Sequence, residues 1–179
     1  PDGALYVTDW ITGWDSKNNG RLWKIDAPSA AGTPVRKEVK ALLAERIAGR
    51  GLAEVTTLLR HADMRVRQKA QFELARRGDF QPFVAAARDT THLIARLHGI
   101  WGIAQLARRT PAHAAQLMPL LTDPESEVRA QAAKMIGDVR HAPAADGLVK
   151  ALADPAPRVR FFAAEALGRK QALLALRPP

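Results

Sequence analysis

The chain has 179 residues, is 47% hydrophobic and carries 27 Lys plus Arg against 18 Asp plus Glu, a formal charge of +9. It contains no cysteine, which excludes disulfides, thiolate metal sites, cysteine nucleophiles and a Cys-x-x-Cys-His haem attachment within these residues. The apolar content suffices for a sizeable core, yet no uninterrupted apolar run approaches about 18 residues, so no transmembrane helix is expected.

Residues 1–26 are patterned differently from the rest. Asp2-Gly3 is a turn former, and Ala4-Leu5-Tyr6-Val7-Thr8 is a short β-prone run. The stretch from Trp10 to Gly20, with Trp14 at its centre, is rich in Gly, Asn and Asp and reads as a loop. Arg21-Leu22-Trp23-Lys24-Ile25 alternates charged and apolar residues, the period of a half-buried strand, so Trp23 is expected to be buried. The two strands predict a hairpin, and because a lone hairpin is marginal in water this one is expected to belong to a larger sheet. Residues 27–34, rich in Pro and small residues, read as a linker that stops the strand and prepares a helix at about Val35. Val35, Val39, Leu42, Leu43 and Ile47 then recur at helical spacing, and Gly49 and Gly51 bracket the stop.

Beyond this helix a phrase recurs about every 31 residues. Val66-Arg67-Gln68-Lys69-Ala70 is followed 62 positions on by Val128-Arg129-Ala130-Gln131-Ala132, and 31 further on by Val159-Arg160-Phe161-Phe162-Ala163. Each phrase leads into an apolar and then a small residue: Leu74-Ala75, Ile136-Gly137 and Leu167-Gly168. Helical apolar spacing on a period near 31 predicts stacked helical hairpins, an α-solenoid. The hairpins pair Leu52–Arg60 with Arg65–Arg77, Pro111–Leu121 with Ser126–Val139, and Pro143–Leu152 with Pro157–Gly168. The second hairpin is irregular. Its second helix, His92–Arg109, places Ala95-Arg96 in the Val-Arg position and Gly99 in the small one, so the spacing is 29 residues from Arg67 to Arg96 and 33 from Arg96 to Arg129. The pitch over both is unchanged, which predicts one continuous stack over residues 35–169.

The Val-Arg step has a physical reading. The apolar residue points into the layer between hairpins, and the next residue points some 100° away, toward the loop edge. There an arginine bridges to an acid or a carbonyl of the adjacent hairpin through its fixed fork of donors. Arg67, Arg96, Arg129 and Arg160 are therefore expected to form a ladder that sets register while the apolar layers hold the stack. The alternative is a phosphate-binding ridge, which requires these arginines to be unpaired. Because the basic residues are spread along the whole chain, the charge reads as a solvated Arg-rich surface.

Other candidates are weaker. His98 and Trp101 lie three apart on one helix, suited to a contact with a neighbouring domain. The packing alternative has Trp101 filling a gap opened by Gly99 and Gly102 while His98 bonds a nearby carbonyl. A metal site needs three or four ligands, and no His-x-x-x-His or acidic partner is near. His61, His113 and His141 fall at turns or first helical turns and are expected to be solvated. Trp10 and Trp14 suit either packing against a larger sheet or a sugar-stacking platform, and Asp9 and Asp15 flank that loop without a regular cation-ligand spacing. No catalytic, cofactor-binding or metal-binding residue is assigned.

The tandem Asp-Pro-x-x-x-Val-Arg-x-x-Ala runs at Asp123–Ala132 and Asp154–Ala163 resemble HEAT repeats. Pro1-Asp2-Gly3-Ala4-Leu5-Tyr6-Val7-Thr8-Asp9-Trp10 with Gly20-Arg21-Leu22-Trp23-Lys24-Ile25 looks like the closing blade of a β-propeller of the soluble sugar-dehydrogenase type. Together with Arg65–Leu74 and Ala95–Gly102, the whole is similar to the bacterial membrane-bound dehydrogenase-like, or PVC-type haem-binding, proteins. There a propeller runs into HEAT repeats and a cytochrome-c-like domain follows. The resemblance implies a propeller remnant at 1–26, a linker at 27–34 and a HEAT array of about four hairpins at 35–179. It also implies a parent that is extracytoplasmic, carries haem c elsewhere and oxidises a sugar or alcohol. Opening at Pro1 and closing within an apolar run, the chain is expected to be a piece of such a protein. Its expected role is a non-catalytic scaffold whose partners are the adjacent propeller and cytochrome c domains or another protein. The alternatives are a stand-alone protein-binding module and a nucleic-acid backbone binder.

Overall fold

The computed structural model describes residues 3–10, 20–30 and 32–175. The chain divides into two compact units, residues 1–49 and 50–179.

The first unit holds the strands β1 (Leu5–Trp10) and β2 (Gly20–Ile25), paired antiparallel from Leu5 opposite Ile25 to Trp10 opposite Gly20. The alternation is that of a strand, but burial does not follow it. Trp23 is 49% exposed, and Leu5, Tyr6, Leu22 and Ile25 are exposed as well. A two-stranded ribbon with no second layer among the described residues has nothing to bury either face against. Trp23 is instead steadied at its rim, with Nε1 3.5 Å from Asp9 and the Arg21 guanidinium 5.7 Å from the ring centroid. Helix α1 (Pro34–Ala44) follows a 3-10 turn at Pro28–Ala30, with proline in its first turn, where the missing N–H costs nothing.

The second unit is a stack of four helical hairpins. The first pairs α2 (Leu52–Thr57), extended by a 3-10 turn to Arg60, with α3 (Met64–Arg77). The second pairs α4 (Phe80–Arg88) with α5 (Leu93–Ala107). The third pairs a 3-10 segment (Pro111–Thr122) with α6 (Ser126–Asp138), and the fourth pairs α7 (Ala145–Ala151) with α8 (Pro157–Ala175). Each second helix packs on the next, α3 on α5, α5 on α6 and α6 on α8. The layer between them is built from the apolar residue of each phrase: Val66, Ala95, Val128 and Val159 are all buried. Asp63 caps α3 through the Arg65 N–H, and Gly78 ends it at φ 81°, a left-handed position that a side chain resists. The helix expected over Pro111–Leu121 is 3-10 throughout. Pro119 lies in its interior, where it can donate neither an α-helical nor a 3-10 bond.

Candidate functional site: the inter-hairpin arginine column

Three of the four ladder arginines share one construction. Nη1 of Arg67 donates to the carbonyls of His61 and Ala62, both at 2.7 Å. Nη1 of Arg129 donates to Asp123 and Pro124 at 2.7 and 3.1 Å, and Nη1 of Arg160 to Asp154 and Pro155 at 2.8 and 3.0 Å. Each thus closes the turn that precedes its own helix. Arg96, in the irregular hairpin, reaches back to the Ala87 carbonyl through Nε at 3.0 Å.

The rest of the fork reaches the next hairpin. Arg129 grips Asp154 with Nε at 2.7 Å and Nη2 at 2.9 Å. Arg96 grips Asp123 with both terminal nitrogens, Nη1 at 3.1 Å to Oδ1 and Nη2 to Oδ2. Both acids also hold their own turns, Asp123 accepting the Glu125 N–H and Asp154 the Ala156 N–H. Burial alone would raise the Asp123 pKa; the Arg96 bonds, the Glu125 N–H and the charges of Arg96 and Arg129 outweigh it and hold the carboxyl below its usual range. At Asp154 the Arg129 hydrogen bonds are the largest effect in the same direction, opposed by burial.

Arg67 departs from this pattern. Its Nε donates to Nε2 of His98 on α5 at 3.2 Å, while the acid of the second hairpin's turn, Asp89, pairs with Arg60. Accepting at Nε2, the His98 ring carries its proton on Nδ1 and donates it to Gln71 Oε1 at 2.8 Å. Gln71 continues to Gln105 at 3.3 Å. His98 is thus buried, and the carbonyl it bonds is the side-chain amide of Gln71, not a backbone group. Trp101 stands edge-on to it at 5.0 Å and donates through Nε1 to Gln131 on α6 at 2.9 Å. Gln131 bonds Glu127, which pairs with Arg158 on α8 at 3.0 Å. A second, polar seam therefore joins α3, α5, α6 and α8 beside the arginine column.

The room left by Gly99 and Gly102 is filled by α4, not by Trp101. A Cβ on Gly99 would stand 2.5 Å from the Ala87 nitrogen and 2.7 Å from the Phe83 oxygen, and one on Gly102 would collide with the Phe83 ring. Among the turn histidines, His61 Nδ1 accepts the Asp63 N–H at 2.9 Å, and His113 stacks on Phe80 at 3.7 Å. Neither is simply solvated. Trp10 ends β1 opposite Gly20, and Trp14 and Asp15 lie outside the described residues. No group of three metal-ligating side chains occurs among the described residues, and no described helix is long and apolar enough to cross a membrane.

One arginine of this type escapes the sequence reading. Val35-Arg36 stands 31 residues before Val66-Arg67, and Arg36 reaches Asp26 through Nη2 at 3.0 Å and the Ala27 carbonyl at 3.4 Å. Subtracting one period from the first phrase finds it, although Val35 is exposed where the other phrase residues are buried.

His98 supplies a pH prediction. Burial, and then the charge of Arg67, push its pKa from 6.5 down to about 4. Between those values the unfolded chain binds the proton and the native one does not. The stabilisation is therefore complete above pH 6.5 and falls as the pH drops toward 4. His98→Gln keeps a donor and an acceptor without a titrating group. It is expected to flatten the fall in urea midpoint over that window; an unchanged slope assigns the loss to other groups.

Residues 114–172 match the family model described as HEAT repeats. No curated protein matches the chain. Among solved structures, the chain is similar to an engineered protein at 19% identity and a TM-score of 0.47, covering 68% of this chain and 62% of that one. A designed armadillo repeat protein in complex with the peptide (KR)4 is similar at 21% identity and 0.47, covering 77% of each chain. The E. coli protein YIBA is similar at 15% identity and 0.31, covering 80% of each. The fold is a HEAT-like α-solenoid with a short N-terminal β-hairpin, and the stretch over which the HEAT family matches is the one where Arg129 and Asp154 lock the third hairpin to the fourth.

Proposed function

We propose that this chain is a protein-interaction scaffold, the HEAT segment of a larger redox protein in which a propeller precedes the array and a cytochrome c domain follows it. The observation that carries the scaffold reading is the fork from one hairpin to the acid of the next, Arg96 to Asp123 and Arg129 to Asp154, which fixes neighbouring hairpins in register. A solenoid held this way keeps its surface in a set shape, which lowers the ordering cost of binding a partner. The redox parent rests on the resemblance of residues 1–10 and 20–25 to a closing propeller blade. The apolar side chains exposed on β1 and β2 support a hairpin that completes a larger sheet. In that arrangement residues 1–26 are the blade, 27–34 the linker and 35–179 the array, and the protein is extracytoplasmic with haem c in its later domain.

The adjoining coding sequence tests the parent. Propeller blades upstream and Cys-x-x-Cys-His downstream are expected; the absence of both removes the redox parent and leaves the stand-alone binding module. Dye-linked oxidation of sugars and alcohols by the purified chain tests the scaffold, and turnover there overturns it. Nucleic-acid binding is disfavoured because all four ladder arginines already bond carbonyls. In a mobility-shift titration with duplex DNA at low salt we expect no complex; a salt-sensitive shift at low protein concentration reinstates the ridge.

A further inference from the structure

The last hairpin repeats three features that the third hairpin uses to receive the fourth, and no described residue fills them. One period of 31 residues relates Arg129 to Arg160, Ala130 to Phe161 and Gly137 to Gly168. Arg129 closes its own turn with Nη1 and grips Asp154 with Nε and Nη2. Arg160 closes its turn with Nη1 in the same way, while its Nε and Nη2 have no partner among the described residues. Ala130 is fully buried in one cluster with Val159 and Ala163 of the next hairpin, whereas Phe161 is 63% exposed. A Cβ on Gly137 would stand 2.6 Å from the Cβ of Ala166, while one on Gly168 meets nothing within 4 Å.

We infer that the α7–α8 end of the stack is a docking surface for one further helical hairpin, whose inter-helix turn brings an aspartate to the free side of Arg160 and whose second helix brings an alanine-sized residue to Gly168. The occupant is defined by charge and size together. The fork wants a planar carboxylate, and the glycine wants a close helix approach. A second copy of this chain stacked head to tail does not supply it. Its leading hairpin has His61 at the position of Asp123 and Asp154, six residues before the ladder arginine and accepting the N–H two residues on. The surface stands whether or not the parent is a redox protein.

The test extends the chain by a second copy of residues 139–169 inserted directly after residue 169. This presents a copy of Asp154 to Arg160 and a copy of Ala166 to Gly168. The extended protein is expected to unfold in one urea transition at a higher midpoint. Arg160→Ala should lower the midpoint several-fold more in the extended protein than in the present one, with the excess lost when the copied Asp154 is also changed to alanine. Gly168→Ala should change sign, raising the midpoint of the present chain and lowering that of the extended one. A separate, earlier transition for the added hairpin, or equal shifts for Arg160→Ala in both proteins, overturns the inference. So does concentration-dependent self-association of the present chain in sedimentation that Arg160→Ala abolishes, since the occupant is then a second copy.

Discussion

Arg96→Ala is expected to destabilise the stack by about 3–5 kcal/mol, the range for breaking a buried ion pair from one side. The side chains of Arg96 and Asp123 are 5% and 10% exposed. Without the guanidinium, the Asp123 carboxylate stays in its turn with the Glu125 N–H as its remaining hydrogen bond among those described above, and the Ala87 carbonyl loses its donor. Lysine is no rescue, because one ammonium cannot hold two carboxylate oxygens and a carbonyl behind it. The double variant Arg96→Ala with Asp123→Ala is expected to cost less than the two single changes added, since neither charge is then stranded. A double-mutant cycle from urea unfolding measures this; strict additivity sinks the assignment. The sign with pH is set by Asp123, whose folded pKa lies below the ordinary 3.8. The pair's contribution is full above that value and is lost as the pH falls through the folded one, so the variant should have a shallower acid limb. Arg60, exposed and paired with Asp89, is the control, with an expected loss of about 0–1 kcal/mol on change to alanine.

The period of 31 residues is legible because helical layers demand the same apolar and small residues at the same depth in each hairpin. The partners of the arginines are less so. Asp123 and Asp154 read as turn residues, which they are. Their second task depends on which turn lies beside which helix, a matter of pitch. The irregular second hairpin shows the difference: Asp89 sits in its turn as Asp123 does, but pairs with Arg60, and Arg67 reaches His98 instead. Helix α4 belongs to the hairpin whose spacing is shifted, and the sequence reading assigns it no range, so the glycines that receive it read as room for the nearest tryptophan. Trp23 fails differently. Alternation specifies which residues share a face of a strand, and burial further requires a second layer.

The contact of α4 with α5 carries the second large effect. Phe83 is among the largest fully buried side chains, and Gly102 leaves the space its ring occupies. Phe83→Ala is expected to cost about 3–5 kcal/mol through lost burial and a residual cavity. Gly102→Ala and Gly99→Ala meet opposing terms. Alanine favours an interior helical position over glycine by about 1 kcal/mol, while overpacking a close contact costs about 1–3 kcal/mol. At Gly99 the obstructing atoms are backbone, the Ala87 nitrogen and the Phe83 oxygen, which do not swing aside, so the loss wins. At Gly102 the obstruction is a ring, and removing the ring removes the penalty. Phe83→Ala combined with Gly102→Ala should therefore be more stable than Phe83→Ala alone, because the new methyl group partly fills the hole and the helix gains propensity. Gly99→Ala should stay destabilising with or without Phe83. Thermal and urea unfolding of the six proteins, wild type and both double variants included, decide it; a Phe83→Ala/Gly102→Ala variant less stable than Phe83→Ala alone rules out the ring as the feature that keeps residue 102 a glycine.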